Sequence, residues 1–297
     1  MKRNAIVRIV LFSILAIFLT FALIGGISRK SSRDQYSLSV QERIDPPVEE
    51  PPEVEPPKTE LPVLKSNDFP AKEIQALGIS WVSGKITIKA MDTDTITIAE
   101  EASGGQRPMV VEKSGSRLIV ECCEDSSPVF FNVSGLVDKN LYITVPLDWA
   151  CEELTIDAAS ADAMVTALTA HKVEVDTASG AYVFRDCQVD SLDMDTASGG
   201  LEFTGTLNEL ELDSASAGAK LTLSNQPKAI QMDSASGDLN LTLPEDCGFT
   251  VMLDTLSGSC STEQDTVKRD DKLIHGNGAC KIEVEGLSSS VHIRKAA

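Results

Sequence analysis

The sequence predicts an all-β fold: a parallel β-helix or β-solenoid with rungs of about 20 residues, preceded by one transmembrane helix and a disordered linker. Three observations carry that prediction. One short motif returns at near-constant spacing, two apolar columns persist through every copy of it, and an uncharged apolar run followed by a proline- and glutamate-rich stretch stands ahead of the first copy.

The motif is Asp176-Thr177-Ala178-Ser179-Gly180, repeated as Asp195-Thr196-Ala197-Ser198-Gly199 and Asp233-Ser234-Ala235-Ser236-Gly237, with looser copies beginning at Asp157, Asp213 and Asp254. Successive Asp residues are 19, 19, 18, 20 and 21 positions apart. One place before them stand Ile156, Val175, Met194, Leu212, Met232 and Leu253; three places before stand Leu154, Val173, Leu192, Leu210, Ile230 and Val251. The position between is mostly polar: Thr155, Glu174, Asp193, Glu211 and Gln231, with Met252 the exception. Period-two alternation gives a strand with one dry face and one wet face. It resumes after the Ser, at Tyr182 and Phe184, Leu201 and Phe203, Leu239 and Leu241, so each copy reads strand, corner, strand. A single copy cannot bury its dry face. Stacking copies about 4.8 Å apart makes continuous apolar ladders and pairs the backbone between rungs. Gly suits a tight corner and the short Ser side chain can bond backbone there. Ala161 and Ala217 stand in the Gly position of two copies, so a positive φ is not required in every rung.

The ends are less regular. Ile282 and Val284 precede Glu285, and Val291 and Ile293 follow, which reads as a seventh copy with Glu285 in the Asp place. The 31-residue step from Asp254 implies an insertion over 262–280, ending in Gly276-Asn277-Gly278, expected as a protruding hairpin or loop. Upstream, Trp81-Val82-Ser83-Gly84 leads to Ile86 and Ile88 at the corner offsets and predicts a first rung. Residues 95–99, 117–122 and 140–145 read as further strands at irregular spacing.

At the N-terminus, a tail over 1–8 carries Lys2, Arg3 and Arg8, and residues 9–27 are uncharged and apolar, about one bilayer crossing. The basic tail favours a cytosolic N-terminus, although Arg29, Lys30 and Arg33 flank the far side. No small-x-small cleavage site or lipid-accepting Cys follows, so an uncleaved single-pass anchor in the cell membrane is expected. Within 28–65, prolines alternate with glutamates, as in Pro46-Pro47-Val48-Glu49-Glu50-Pro51-Pro52-Glu53, which predicts an extended, solvated spacer. Residues 66–297 are then the extracellular domain.

The formal charge of −19 is concentrated in that domain, which holds 17 Lys/Arg against 37 Asp/Glu once residues 1–65 are set apart. Such a surface repels nucleic acid, which excludes that class of partner, and attracts cations. Seven Cys, at 122, 123, 151, 187, 247, 260 and 280, include no C-x-x-C pair, and His171, His275 and His292 are scattered, which argues against a zinc site. Cys260 and Cys280 bracket the insertion and are the candidate disulfide, with small buried thiols the alternative.

The most suggestive constellation is the outward column Asp157, Asp176, Asp195, Asp213, Asp233 and Asp254. In register, its carboxylates lie about 5 Å apart. Either a hard cation such as Ca²⁺ binds along this ladder, or hydrogen bonds from Thr/Ser hydroxyls and corner N–H groups relieve the repulsion. Catalysis has little support: paired acids are present but aromatic sugar platforms are few, and repeated Ser beside repeated Asp lacks an accompanying His.

These features together resemble the bacterial putative-adhesin family. The resemblance rests on Ile74-x-x-Leu77-x-Ile79-x-Trp81-Val82-Ser83-Gly84-x-Ile86-x-Ile88, the recurring Asp-x-Ala-Ser-Gly, Val145-Pro146, Leu243-Pro244 and Gly276-x-Gly278, and spans about residues 70–295. It implies a membrane-anchored β-solenoid at the cell surface with adhesion or envelope-stress roles, and it supplies no catalytic residues. The expectation is therefore a non-catalytic binding or adhesion module whose partner is an unknown protein, a glycan or a cationic envelope component. The alternative is an envelope-stress sensor or accessory scaffold acting with a membrane partner.

Overall fold

The computed structural model describes residues 65–101, 108–123 and 139–296. The expected anchor over 9–27 and nearly all of the linker lie outside the described residues. Among the described residues no helix is long and apolar enough to cross a membrane.

Among the described residues seventeen strands join one sheet system. The N-terminal group is β1 (Lys65–Pro70), β2 (Ala76–Met91), β3 (Thr95–Glu101), β4 (Val110–Ser114), β5 (Arg117–Glu121) and β6 (Lys139–Pro146). The repeats follow as β7 (Ala150–Thr166), β8 (Thr169–Ser214), β9 (Ala219–Leu223), β10 (Ala229–Ser234) and β11 (Leu239–Leu243). The last group is β12 (Phe249–Thr255), β13 (Cys260–Thr262), β14 (Val267–Arg269), β15 (Lys272–His275), β16 (Cys280–Gly286) and β17 (Val291–Lys295). β2, β7 and β8 run through corners without a break: β2 and β7 each supply a first arm before the corner and a second arm after it, and β8 supplies three first arms and two second arms.

Stacking is parallel and keeps the sequence columns in register. Ile79 faces Ile156, Leu154 faces Val173, Leu201 faces Ala219, and Asp213 faces Asp233. The expected first rung forms as well, with Ser83 opposite Ser160 and Gly84 opposite Ala161. Both inward columns of the first arms are buried in one apolar core with those of the second arms, where Phe184 and Phe203 stack with centroids 5.9 Å apart. Only Leu253 of the two first-arm columns is partly buried, near the C-terminal end of the stack.

Rung order departs from chain order at that end. β16 pairs on one side with β10 and on the other with β12, and β17 lies between β11 and β13 in the same way. The last copy thus sits between the two before it. Identical column patterns permit this, because Ile282 and Val284 match Ile230 and Met232 as well as they match Val251 and Leu253.

The insertion corrects a second expectation. β14 and β15 form an antiparallel hairpin, but it does not protrude: β15 folds back and pairs antiparallel with β12, covering the free edge of that first arm. Antiparallel strands close the other end too, β4 on β5, and β3 on β6 with β1 beyond it. An exposed parallel edge would offer unpaired backbone groups to another chain, and these strands limit that exposure. A buried ion pair fastens the N-terminal cap: Lys139 Nζ lies 2.8 Å from Glu100 and donates to the Cys122 carbonyl at 2.7 Å, while Trp81 Nε1 donates to the Lys139 carbonyl at 3.1 Å.

At the corners, the Ser of Ala-Ser-Gly is not the main capping group. Ser198, Ser216 and Ser236 are exposed, whereas the hydroxyls next to Asp176, Asp195, Asp213 and Asp233 turn inward, as alternation requires. Thr177 Oγ1 donates to the Ser179 carbonyl at 2.9 Å, Thr196 Oγ1 accepts from Gly199 N–H at 2.8 Å, and Ser214 and Ser234 hydroxyls meet at 2.8 Å. Gly is retained for close approach: a Cβ at Gly237 would stand 1.9 Å from the Ala217 carbonyl oxygen. The opposite corners hold a regularity that the sequence conceals, since Ala167, Asp186 and Gly205, spaced by 19, all have positive φ, at 57°, 54° and 130°.

The candidate disulfide is not formed. Cys260 lies on a second arm opposite Val291 and Cys280 on a first arm opposite Phe249; both are free thiols, as are the other five. Burial pushes the Cys151 and Cys280 thiols up to about 12, so they pack as small apolar groups.

Candidate functional site: an acidic face on the first arms

Alternation that sends Ile, Val, Leu and Met inward sends the intervening residues outward, and parallel register then lines up like with like. The predicted Asp column forms in this way. Asp157 faces Asp176, and Asp213 faces Asp233. Asp195 stands between these pairs, its carboxylate acting on that of Asp213 and acted on by that of Asp176. The order changes at the end, because Glu285 faces both Asp233 and Asp254 and separates them. Two residues earlier runs a companion column: Thr155 and Glu174 in register, Asp193, then Glu211 facing Gln231 and Gln231 facing Glu283. Near one edge of this face Lys172 pairs with Glu174, and Arg117 pairs with Glu153 and donates to Thr155.

Exposure varies along the column. Asp157, Asp176, Asp195 and Asp254 are exposed and Asp233 half-buried, but Asp213 retains only 7% of its surface. Desolvation raises the Asp176 carboxyl, helped by the charges of Asp157, Asp193 and Glu174 and by a hydrogen bond with Asp157. Desolvation on the sheet surface, then Asp176, Asp193 and Glu211, push Asp195 up to about 6. Asp213 reaches about 7, from burial first and then Asp233, Asp195, Glu211 and Asp193. The Thr and Ser hydroxyls expected to relieve this column serve the corner backbone instead. Among the described residues no three His, Cys, Asp or Glu side chains converge as a metal site. The carboxylates form a row with one member per rung.

Two further features lay outside the sequence reading. A shallow groove of about 360 Å³ crosses the second arms between Ala181, Gly200 and Gly218 on one side and Val183, Glu202 and Lys220 on the other. Its floor opens because small residues happen to share a column, a signal visible only once the register is known. On the same face Ser261 Oγ lies 2.7 Å from His292 Nδ1, a contact that follows from their being opposite each other on β13 and β17.

The fold and this face define a class: an all-β repeat domain of stacked rungs with one strongly acidic sheet surface. The chain belongs to the Toastrack DUF4097 family, whose model matches residues 74–225 and again 148–293. Solved structures similar to it include a putative adhesin from Bacteroides fragilis, at 14% identity and TM-score 0.47, covering 77% of this chain and 97% of that one. A putative cell adhesion protein from Clostridium sporogenes matches at 10% identity and TM-score 0.34, covering 80% and 100%. A putative lipid binding protein from Parabacteroides distasonis matches at 15% identity and TM-score 0.39, covering 79% and 97%. No curated protein matches the sequence.

Proposed function

We propose that this chain is a non-catalytic binding module of the bacterial cell surface, anchored by residues 9–27, whose acidic first-arm face meets a cationic envelope partner. The observation that carries the reading is the in-register run of Asp157, Asp176, Asp195, Asp213 and Asp233 beside Glu174, Asp193 and Glu211. So much like charge on one surface lowers stability and raises the encounter rate with a cation, which makes sense for a binding face. The repeated acids and hydroxyls occur once per rung, as stacking demands, whereas catalysis needs one focused site.

Crosslinking on intact cells, comparing the natural chain with an Asp157/Asp176/Asp195/Asp233→Asn variant, tests this. A crosslinked partner that is released by 0.5 M salt, on the order of a fourfold shorter screening length than at low salt, and lost in the variant is the expected result. Retention of the partner by the neutralised variant, or protection of the domain from protease added outside the cells, would overturn the reading.

A further inference from the structure

A buried carboxylate nearly always accepts hydrogen bonds, because stripping its water without replacement is costly. Asp213 exposes 7% of its surface and accepts no hydrogen bond from any described residue. The adjacent hydroxyls are engaged elsewhere: Ser214 Oγ donates to the Ala217 carbonyl and meets Ser234 Oγ, which also reaches the Ala217 carbonyl. The charges that act on Asp213 are all acids, Asp193, Asp195 and Glu211 from β8 and Asp233 from β10. The result is a largely buried residue, rimmed by negative charge, whose carboxylate oxygens still reach solvent and are open to a donor from outside.

We propose that the recess at Asp213 binds a primary alkyl ammonium group. This deepens the acidic-face reading and rests on it. An ammonium brings three N–H donors on a narrow, flexible stem, so it reaches a recessed oxygen and shares its remaining donors with carboxylates on the rungs above and below. The planar guanidinium fork is wider. Calcium needs six to eight oxygens converging on one point, and these acids lie in a row. A proton competes for the same carboxylate, so binding weakens as acid protonates Asp213, which Asp193, Asp195, Glu211 and Asp233 surround with negative charge.

Calorimetry on the full chain in zwitterionic detergent, at pH 8 and fixed ionic strength, tests the proposal with spermidine, a trilysine peptide, tetramethylammonium and Ca²⁺ as probes. Saturable binding of spermidine or trilysine is expected, weakened at least about tenfold by Asp213→Asn, restored in part by Asp213→Glu, and unchanged by Asp162→Asn on the other face. The tighter of the two amines identifies a free polyamine or a peptide side chain as the source. Tetramethylammonium, which has charge but no N–H, should not bind. If Asp213→Asn binds the amines as well as the natural chain while Asp157/Asp176/Asp195/Asp233→Asn does not, the recess falls and the diffuse acidic face stands. If neither variant changes binding, both fall. Ca²⁺ binding at lower concentration than either amine would replace the ammonium with a metal.

Discussion

The outer surfaces of the first and second arms share one backbone plan and differ in what register multiplies. On the first arms, successive rungs stack carboxylate on carboxylate. On the second arms, Thr204, Thr222 and Thr242 stack hydroxyl on hydroxyl, and Glu202 and Lys220, opposite each other on neighbouring rungs, pair at 3.0 Å. Cross-strand neighbours of like charge destabilise and Thr–Thr or opposite-charge neighbours stabilise, each by a few tenths to about 1 kcal/mol. A repeat fold therefore amplifies a single choice of residue. The second-arm face follows the choice that favours stability, and the first-arm face departs from it over five consecutive rungs, which is where function is to be sought.

The largest expected effect comes from relieving the acidic side. Asp213→Asn should stabilise the domain by roughly 1–3 kcal/mol at pH 8, discounted from the full shift because neighbouring carboxylates screen and readjust. Denaturant melts would register this as a higher midpoint with an unchanged slope. The pH dependence has a definite sign. The folded-state pKa values of Asp195 and Asp213 are raised to about 6 and about 7, so the native state binds protons before the unfolded state does. Stability accordingly rises as pH falls from 8 towards 4 and levels off below the unfolded carboxylate value. Asp213→Asn should flatten that rise, and a natural chain that is less stable at pH 5 than at pH 8 would refute the ladder as a source of strain.

A smaller change would carry the defect across to the other face. Replacing Thr204, Thr222 and Thr242 together with Asp builds a second column and should cost about 1–2 kcal/mol at pH 8, recovered on acidification. Smallest of all is Lys220→Gln, which removes an exposed pair and should shift stability by less than about 0.5 kcal/mol, a difference best read against added salt.

Much of this molecule was legible because a solenoid writes its core into the sequence twice per rung. The columns through Leu154 and Ile156, and through Tyr182 and Phe184, could be read as alternation and are buried as expected. Which copy neighbours which was not legible. Column patterns specify that strands stack and leave their order open, so the placement of β16 between β10 and β12 is a property of the folded stack alone. The hairpin over the insertion looked like an excursion because its apolar content is low; its role is to satisfy the backbone of β12 rather than to fill a core. For the acidic face, the row of Asp was visible and the burial of Asp213 was not, since exposure on a wet strand face depends on its neighbours across the sheet.

The position of the last copy also limits how this domain can change over evolutionary time. Most solenoids lengthen by tandem duplication at an end. Here β16 and β17 thread back inside the stack, between β10 and β12 and between β11 and β13, and β15 covers the first arm of the outermost C-terminal rung, so a further first arm finds no open edge on β12. New rungs can enter from β7 through β11, where each unit meets its sequence neighbour. Duplication there also extends the acidic row, so a longer relative would carry a more negative face.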